Sequence, residues 1–325
     1  MRPPLPAHQG RTYPIRDRSV GRYIFRRLII SVITIWLLAT ASFFLLRTLP
    51  GNPFAISEKL LSAETQQRLM AYYGLDRPLV EQYARYMGNL LQGNMGYSLK
   101  YTNRSVNSII AGAFPISASL GMRALALALP LGLFLGVMSA RKRGQAVDYM
   151  CVFVSVIGIS VPSFIMGTLL QYVLGVRLEL LPIAQWKGFA YTILPTVALA
   201  LGMIGSLTRT MRASMLEVIS QDYIKTAKAK GLSETRIVLD HQLRNSLLPI
   251  VTGLGPLVAG VLMGTFVIEQ IFAIPGLGQH FVNSIQSLDY TMTLGLTVFF
   301  GAFLITANFL VDLAYGLIDP RITLR

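Results

Sequence analysis

The sequence predicts an all-α polytopic membrane protein with six transmembrane helices, and three observations predict this class. Of the 325 residues, 53% are hydrophobic and 14% are charged, whereas soluble domains carry roughly 25% charged residues. Apolar runs long enough to cross a bilayer recur six times along the chain. Lysine and arginine are concentrated in alternate short loops, as the positive-inside rule requires of a multi-pass protein.

The six predicted spans follow the length that a bilayer requires, because about 30 Å of hydrocarbon is crossed at about 1.5 Å per helical residue. They cover residues 28–46, 117–138, 149–174, 189–207, 248–269 and 291–316. Arg123, Glu269 and Asp312 are the charged residues inside these spans, and all three lie toward a span end. Because charge is costly in hydrocarbon, each either has an interfacial or paired structural role or lines a transport pathway.

The distribution of lysine and arginine predicts that both termini are cytoplasmic. The N-terminal tail, the second and fourth loops and the C-terminal tail carry nineteen of these residues, whereas the short loops on the other face carry only Arg177 and Lys187. The first loop holds seven more, but loops longer than about 60 residues largely escape the rule. The net charge of +14 therefore reflects membrane topology, and no nucleic-acid partner is expected.

The loops divide the chain into four predicted parts. These are a flexible cytoplasmic tail (1–21), an N-terminal helix with the first span (22–46), an external loop subdomain (47–116) and a core of five spans (117–325). The external subdomain contains two predicted helices, at 62–73, where Gly74 is a stop signal, and at 79–91, where apolar residues recur near the helical period. It is either a cap on the outer membrane surface or a docking surface.

The fourth loop, residues 208–249, is too long for a simple connector and predicts two cytoplasmic helices. Residues 217–230 have helix-forming composition, and Gly231 is placed to end that helix. Ser233 is placed to cap a second helix that runs into the fifth span. A simple helical bundle does not explain a hinged pair of cytoplasmic helices, so this loop is the first candidate for a functional element.

The sequence lacks the common motifs of catalytic and nucleotide-binding sites. It contains no His-Glu-x-x-His, Cys-x-x-Cys, Gly-x-Ser-x-Gly or Gly-Lys pattern, and its three histidines are far apart. We therefore expect no metal and no cofactor on this chain, and any ATP used is hydrolysed on another chain. The same absences disfavour an intramembrane enzyme. A self-contained secondary transporter is disfavoured because the two halves of the chain share no internal similarity.

Helix-breaking residues indicate where the spans bend or pack closely. Pro162 lies in the middle of the third span, and Pro256 lies in the fifth span near a Gly260-x-x-x-Gly264 pattern. Such glycines are explained either by close helix packing or by helices that kink and rock around a central path. The candidate pathway or gate residues are Arg123, Ser160, Pro162, Ser163, Pro256 and Glu269.

Short motifs occur along the chain in an order and spacing that resemble one known family. The cytoplasmic loop carries Asp222-Tyr-Ile-Lys-Thr-Ala-Lys-Ala-Lys-Gly231-Leu and then Arg244-Asn-Ser-Leu-Leu-Pro249. Further motifs include Leu49-Pro-Gly-Asn-Pro53, Tyr73-Gly-Leu-Asp-Arg-Pro78, Val161-Pro-Ser-Phe164, Pro275-Gly-Leu-Gly278 and Asp319-Pro-Arg321. Together they are similar to the dipeptide/oligopeptide family of ATP-binding-cassette (ABC) importer permeases.

Three smaller motifs favour one branch of that family. Pro53-Phe54, Ser105-Val-Asn107 and Phe114-Pro115 make the chain most similar to the oligopeptide permease B subunit rather than its dipeptide counterpart. The chain also departs from the general importer pattern, because Lys225-Thr-Ala227 replaces Glu-Ala-Ala and 18 positions separate Gly231 from Pro249.

The resemblance implies a type I ABC importer permease fold with a coupling helix at residues 222–230, lying in a groove of a cytoplasmic ATPase. The implied coupling residues are Asp222, Tyr223, Thr226, Ala227, Lys230, Gly231 and Leu232. Tyr223 and Ala227 share a helix face, and the small alanine is expected to allow close approach to the ATPase. A membrane-surface helix held by anionic lipid is the alternative for this basic segment.

The resemblance also implies the assembly around the chain. It would be a non-catalytic permease subunit in a bacterial cell membrane, paired with a second permease chain as a heterodimer. Two ATPase subunits or domains would hold ATP and Mg²⁺, and an extracytoplasmic binding protein would deliver oligopeptides. Dipeptides, nickel complexes and glutathione are alternative substrates within the same family, and membrane lipid is a further partner.

Overall fold

The computed structural model describes residues 18–48, 63–101, 103–264 and 266–318. The regular structure in these ranges is entirely helical and includes no β-strand, which confirms the predicted all-α class. The tail predicted at residues 1–21 falls largely outside the described residues. The motifs at 49–54 and 319–321 also fall outside them.

Thirteen helical elements follow one another in the described residues. They are α1 (Arg18–Thr48), α2 (Ala63–Tyr73), α3 (Leu79–Leu91), α4 (Val106–Arg141), α5 (Ala146–Ser160), α6 (Ser163–Leu170, continued by a π-helical segment, Gln171–Arg177), α7 (Phe189–Ile219), α8 (Asp222–Ala229), α9 (Glu234–Arg236, a π-helical segment, Ile237–Leu243, and Arg244–Ser246), α10 (Leu248–Gly264), α11 (Phe266–Ile271), α12 (Leu277–Gln286) and α13 (Tyr290–Ile318).

Four of these helices, α1, α4, α7 and α13, are long and apolar enough to cross a membrane. Helices α5 and α6 together qualify as a fifth, bent crossing, whereas α10 holds only a shorter apolar stretch, Leu248–Val258. The described residues thus support four or five crossings, and the count of six stays a prediction. Below, the bundle end that carries α2 and α3 is called the subdomain end, and the end that carries α8 and α9 is called the loop end.

The third predicted span, 149–174, is not one continuous helix. The chain leaves the helix at Val161, which has extended backbone angles, and α6 then continues at 101° to α5. Proline explains the break, because Pro162 has no N–H to donate and its ring disfavours helical geometry at the preceding residue. Residues 160–163 therefore form a corner in the middle of this crossing.

Helix α7 packs closely against both α4 and α5 through glycines. A Cβ atom built on Gly158 of α5 would lie 2.5 Å from the Leu201 carbonyl oxygen of α7, and one on Gly205 would lie 2.5 Å from the Ser155 carbonyl oxygen. On the other side, a Cβ on Gly136 of α4 would lie 2.9 Å from the Thr208 carbonyl oxygen. Only glycine permits such approaches, so α7 is the centre of the packed core.

Two glycines of α10 take no part in close helix packing, which was one of the two roles predicted for the glycines of this span. Nothing lies within 4 Å of a Cβ built on Gly253 or on Gly260 in the described part of the chain. Pro256 is also exposed. Close packing therefore does not explain these two glycines, and this face of α10 is open in the described part of the chain.

The two predicted helices of the first loop are confirmed as α2 and α3. Helix α3 packs on α1, where the Tyr83 hydroxyl and Thr40 Oγ1 form a 2.8 Å hydrogen bond. The ring of Phe43, buried in α1, stacks on the ring of Tyr86 at a centroid distance of 5.5 Å. Tyr83 and Tyr86 of the predicted apolar face therefore contact α1, whereas Leu79, Val80 and Leu91 of α3 are exposed.

A buried carboxylate, which the sequence did not single out, joins the subdomain to the start of α13. Asp289 accepts hydrogen bonds from the Ser98 hydroxyl and from the backbone N–H groups of Leu99 and Lys100. It also accepts the N–H of Met292, at 3.0 Å, in the first turn of α13. One side chain thus caps a helix and holds a loop that lies 190 residues earlier.

The α5–α7 contact predicts the effect of one added methyl group. The Gly158→Ala variant is expected to lose about 1–3 kcal/mol of stability, because its Cβ would overlap the Leu201 carbonyl. The Gly112→Ala variant is the matched control, since Gly112 of α4 has nothing within 4 Å of its built Cβ. Thermal unfolding of the purified chain in detergent would compare the two variants, and equal midpoints would contradict the contact.

Candidate functional site

The candidate site is the loop formed by α8, the turn at Gly231 and α9. Helix α8 begins three residues after α7 ends, so the long central helix leads directly into it. The inner face of α8 is apolar, and Ile224 and Ala227 are buried in a small cluster with Val218 of α7 and Ile237 of α9. These contacts seat the short helix on the bundle, because an isolated helix of this length would not be stable in water.

Gly231 makes the turn that the sequence predicted. Its φ angle is +75°, in the left-handed region that favours glycine, and nothing lies within 4 Å of a built Cβ. Its N–H donates to the Lys228 carbonyl at 2.9 Å, and the Leu232 N–H donates to the Ala227 carbonyl at 3.3 Å. The predicted turn between two helices at Gly231 is confirmed, and Ser233 makes no side-chain capping bond. The predicted helix at 217–230 is wrong in its bounds, because α7 continues to Ile219 and α8 covers only Asp222–Ala229.

The outer face of α8 is polar and exposed. It carries Asp222, Lys225, Thr226, Lys228 and Lys230. Lys225 Nζ contacts Asp222 at 2.9 Å and Lys228 Nζ contacts Glu234 at 3.8 Å, but exposed pairs of this kind contribute little to stability. These side chains are therefore available to a partner at small energetic cost.

The structure separates Tyr223 from Ala227, although they share a helix face in sequence spacing. The Tyr223 side chain is 42% exposed, and its hydroxyl accepts a 3.1 Å hydrogen bond from Asn245 Nδ2 of α9. Ala227 is only 6% exposed, inside the cluster beneath α8. The close approach predicted for Ala227 is therefore a contact with its own chain. The outer contact surface of α8 is formed by its exposed residues, which do not include Ala227.

An ion pair between the buried Asp148 and the partly exposed Arg212 braces the three helices beneath this site. Arg212 of α7 donates to both carboxylate oxygens of Asp148 at the start of α5, at 2.8 and 2.9 Å. Asp148 also accepts the Ser139 hydroxyl of α4 and the Gly144 N–H. The bidentate geometry is the strongest form of this contact and joins α4, α5 and α7.

Sequence reasoning missed this ion pair. Asp148 stands one residue outside the predicted third span, and Arg212 was counted only as a loop cation. An acidic residue at the first turn of an apolar helix was the available signal, but its partner lies 64 residues away in the sequence. The burial of Ile224 was missed for the same reason, because it packs in a cluster with Ile237 of the next helix.

Arg123 lies among aromatic and hydroxyl groups near the subdomain end. It donates to Thr192 Oγ1 at 2.9 Å, and its guanidinium lies over the rings of Trp186 and Phe189 at 5.9 and 5.8 Å from their centroids. The arginine thus joins α4 to the start of α7 and to the segment before it.

Glu269 is fully buried and has a structural position. Its carboxylate accepts the Ser117 hydroxyl at 2.6 Å and the N–H groups of Gly278 and Gln279 at 2.7 and 3.2 Å. Negative charge at the start of a helix is favourable, and these bonds hold α12 against α4. Of the two roles left open for this residue, the geometry favours the structural one.

The remaining candidate pathway residues are not brought together. Ser160, Pro162 and Ser163 form the α5–α6 corner, whereas Pro256 lies on the open face of α10. A cavity of about 780 Å³ instead lies between α5, α7 and α10 toward the loop end. Its lining includes the exposed side chains of Ser206, Arg209, Thr210 and Glu217, which the sequence did not single out.

The described residues contain no group of three His, Cys, Asp or Glu side chains that is arranged to hold a metal ion. The arrangement at the loop end therefore consists of a seated helix with an exposed polar face, connected to the core by α7 and braced by an ion pair.

Two family profiles match the chain over most of its length. The family described as "Binding-protein-dependent transport system inner membrane component" matches residues 132–324, and its N-terminal counterpart, "Binding-prot-dependent transport system membrane comp, N-term", matches residues 20–121. The chain therefore belongs to the inner membrane components of binding-protein-dependent transport systems, and within them to the dipeptide/oligopeptide permeases of ABC importers.

Curated relatives align with almost the whole chain. The dipeptide transport system permease protein DppB of Bacillus subtilis (strain 168) is 46% identical over 306 residues, which is 94% of this chain and 99% of the relative. The oligopeptide transport system permease protein OppB of Haemophilus influenzae is 42% identical over 303 residues, covering 93% and 99%. OppB of Escherichia coli (strain K12) is 41% identical over the same length and coverage.

A solved structure supports the fold. A crystallised amino acid ABC transporter superposes on 64% of this chain and 93% of its own with a TM-score of 0.53, at 13% sequence identity. At that identity the likeness concerns the fold alone, and it agrees with the ABC importer permease fold implied by the motifs.

The Arg212–Asp148 ion pair predicts a stability effect that an exposed arginine would not have. The Arg212→Gln variant is expected to lose about 3 kcal/mol, because it leaves the buried Asp148 carboxylate without its cation. The Arg141→Gln variant, at the exposed end of α4, is the control. Thermal unfolding of the purified proteins measures both. An Arg212→Gln midpoint as high as that of Arg141→Gln would contradict the bracing role.

Proposed function

We propose that this chain is the permease subunit of an ABC importer that moves short peptides into the cell, driven by ATP hydrolysis on separate subunits. The observation that carries the proposal is the loop end, where α8 presents an exposed polar face while its apolar face is seated on α7 and α9. Family membership and the names of the curated relatives support the peptide substrate. The chain itself performs no catalysis.

In this proposal α8 is the coupling helix. Its exposed residues dock in a groove of a cytoplasmic ATPase, with Asp222, Tyr223, Thr226 and Lys230 at the contact. Ala227, Gly231 and Leu232 act as positioning residues, because they seat and turn the helix. When ATP closes the ATPase pair, α8 moves with it, and the shared apolar cluster transfers the motion to α7 and α9.

The rest of the assembly follows from the same reading. The loop end is cytoplasmic, both termini are cytoplasmic, and the protein crosses a bacterial cell membrane several times. A second permease chain pairs with it as a heterodimer, two ATPase subunits or domains hold ATP and Mg²⁺, and an extracytoplasmic binding protein docks on the α2–α3 subdomain. The cavity beside Arg209 and Glu217 is the inner part of the peptide path.

Oligopeptides are the proposed substrates, because three motifs favour that branch: Pro53-Phe54, Ser105-Val-Asn107 and Phe114-Pro115. Dipeptides are the second candidate, because the Bacillus subtilis relative named for dipeptide transport is 46% identical. A nickel complex and glutathione are further family alternatives that no described residue favours.

The coupling role predicts the consequence of blocking the turn. The Gly231→Pro variant is expected to reduce ATP-driven peptide uptake by at least about tenfold, because proline cannot adopt a φ of +75° and has no N–H to donate to Lys228. The Gly231→Asn variant is the matched control, since asparagine tolerates left-handed geometry. Uptake is measured in vesicles containing the complete importer, with membrane insertion verified for both variants.

A variant with two reversed charges distinguishes a loss of docking to the ATPase from a loss of folding. Lys225 and Lys230 are exposed, so the Lys225→Glu/Lys230→Glu variant is expected to fold normally yet recover less ATPase on affinity purification. If this variant and Gly231→Pro both transport at the wild-type rate, the loop is not the coupling element. Transport by the chain alone under an ion gradient would instead support a secondary transporter.

The substrate proposal predicts how ATP hydrolysis depends on peptide length. With its binding protein present, the complete importer is expected to hydrolyse ATP faster with a pentapeptide than with a dipeptide of the same composition. Stimulation by the dipeptide alone would favour the second candidate. Stimulation by glutathione or a nickel complex, with none by either peptide, would overturn the peptide proposal while leaving the coupling role intact.

A further inference from the structure

A second cavity lies at the subdomain end, away from the loop site and from the candidate pathway residues. Its volume is about 390 Å³, within the range of small-ligand pockets. It lies between the last turns of α1, the helices α2 and α3, and the first turn of α13. Neither the motifs nor the proposed function assigns it a role.

The charged residues that line this cavity in the described part of the chain are all of one sign. Arg47, Arg77 and Arg85 line it, and no aspartate or glutamate is among its described lining residues. Arg77 pairs with Glu81 in the next turn, outside the cavity. Arg85 has no carboxylate partner among the described residues. The guanidinium of Arg47 lies over two aromatic rings, at 5.3 Å from the Phe43 centroid and 5.4 Å from that of Tyr290.

Three buried polar atoms of the lining residues lack hydrogen-bond partners in the described part of the chain. They are Arg47 Nε, Gln82 Oε1 and the Tyr86 hydroxyl. A buried unsatisfied polar group costs about 1–3 kcal/mol. Arg47 Nε and the Tyr86 hydroxyl are donors that an anion would satisfy, whereas Gln82 Oε1 is an acceptor and needs a donor instead. Burial, with a smaller effect of Tyr83, raises the pKa of Tyr86 to about 12, which keeps its phenol protonated and able to donate.

The residues around the cavity indicate that it lies at the membrane boundary. Arg47 belongs to the last turn of α1, and its neighbours Phe44 and Leu45 are 45% and 65% exposed. Tyrosine side chains line the cavity on several sides, including Tyr72 and Tyr97. Tyrosines concentrate at the level of lipid headgroups, and basic pockets at that level bind their phosphates.

We propose that this cavity binds a phosphate group, supplied by the headgroup of a phospholipid in the adjacent leaflet or by free phosphate. Arg47 and Arg85 neutralise its charge, because guanidinium groups donate pairs of hydrogen bonds to phosphate oxygens. Tyr86 donates a further bond after a small side-chain movement. The bound group joins α1 to α3, so it stabilises the subdomain on the bundle. This inference does not rest on peptide transport.

The test begins with the full-length chain, purified with the subunits that accompany it and stripped of lipid in mild detergent. Short-chain phosphatidylglycerol is expected to raise the thermal unfolding midpoint of the wild-type protein. In the Arg47→Gln/Arg85→Gln variant, half-maximal stabilisation should need at least about tenfold more lipid, because two charge-assisted contacts are lost. The Tyr86→Phe variant removes only the hydroxyl. The lipid concentration that gives it half-maximal stabilisation is expected to lie between those of the wild type and the double variant.

One control distinguishes binding at this site from general solvation by lipid, and a second distinguishes a lipid headgroup from free phosphate as the source of the bound group. Arg68→Gln is the matched control, since Arg68 lies on α2 in an exposed pair with Glu64 and does not line the cavity. It should respond to lipid as the wild type does. Stabilisation by inorganic phosphate as strong as by the lipid assigns the site to free phosphate, whereas a response to lipid alone assigns it to the headgroup. Equal stabilisation of the wild type and the double variant, or none in the wild type, would overturn the proposal.

Discussion

The packing of α7 against α4 and α5 is the contact on which the described structure depends. Glycines on all three helices let backbones touch, and the Arg212–Asp148 pair joins the same helices at the loop end. Packed interfaces have discrete arrangements and do not deform continuously, so the proposed coupling would displace α7 as one body. Helix α8, seated three residues beyond α7, lies where such a displacement would begin.

Buried carboxylates provide a second organising feature of the chain. Asp148, Glu269 and Asp289 each accept a serine hydroxyl and one or more backbone N–H groups from a distant or newly started segment. Backbone N–H groups at helix starts and turns are otherwise without partners, so one carboxylate satisfies several donors and holds two elements together. Each acid therefore joins elements that apolar packing alone would leave weakly connected.

Much of the fold could be predicted because it depends on local pattern. The apolar runs, the two helices of the subdomain and the hinge at Gly231 all follow from spacing, helix-stop residues and backbone freedom within a few positions. The candidate site could be proposed for the same reason, since its motif is contiguous. The corner at Pro162 was visible as a helix-breaking residue, but the 101° bend also depends on which helices α5 and α6 pack against.

The sequence by itself determined that the chain is an all-helical membrane protein, which family it resembles and where its two-helix loop lies. Each of these properties is carried by neighbouring residues or by motif order. Only the tertiary structure decided that Ala227 faces its own chain, that Glu269 anchors α12 and that Arg212 pairs with Asp148. These roles depend on contacts between residues far apart in the chain, because burial and partnership are set by how the helices pack.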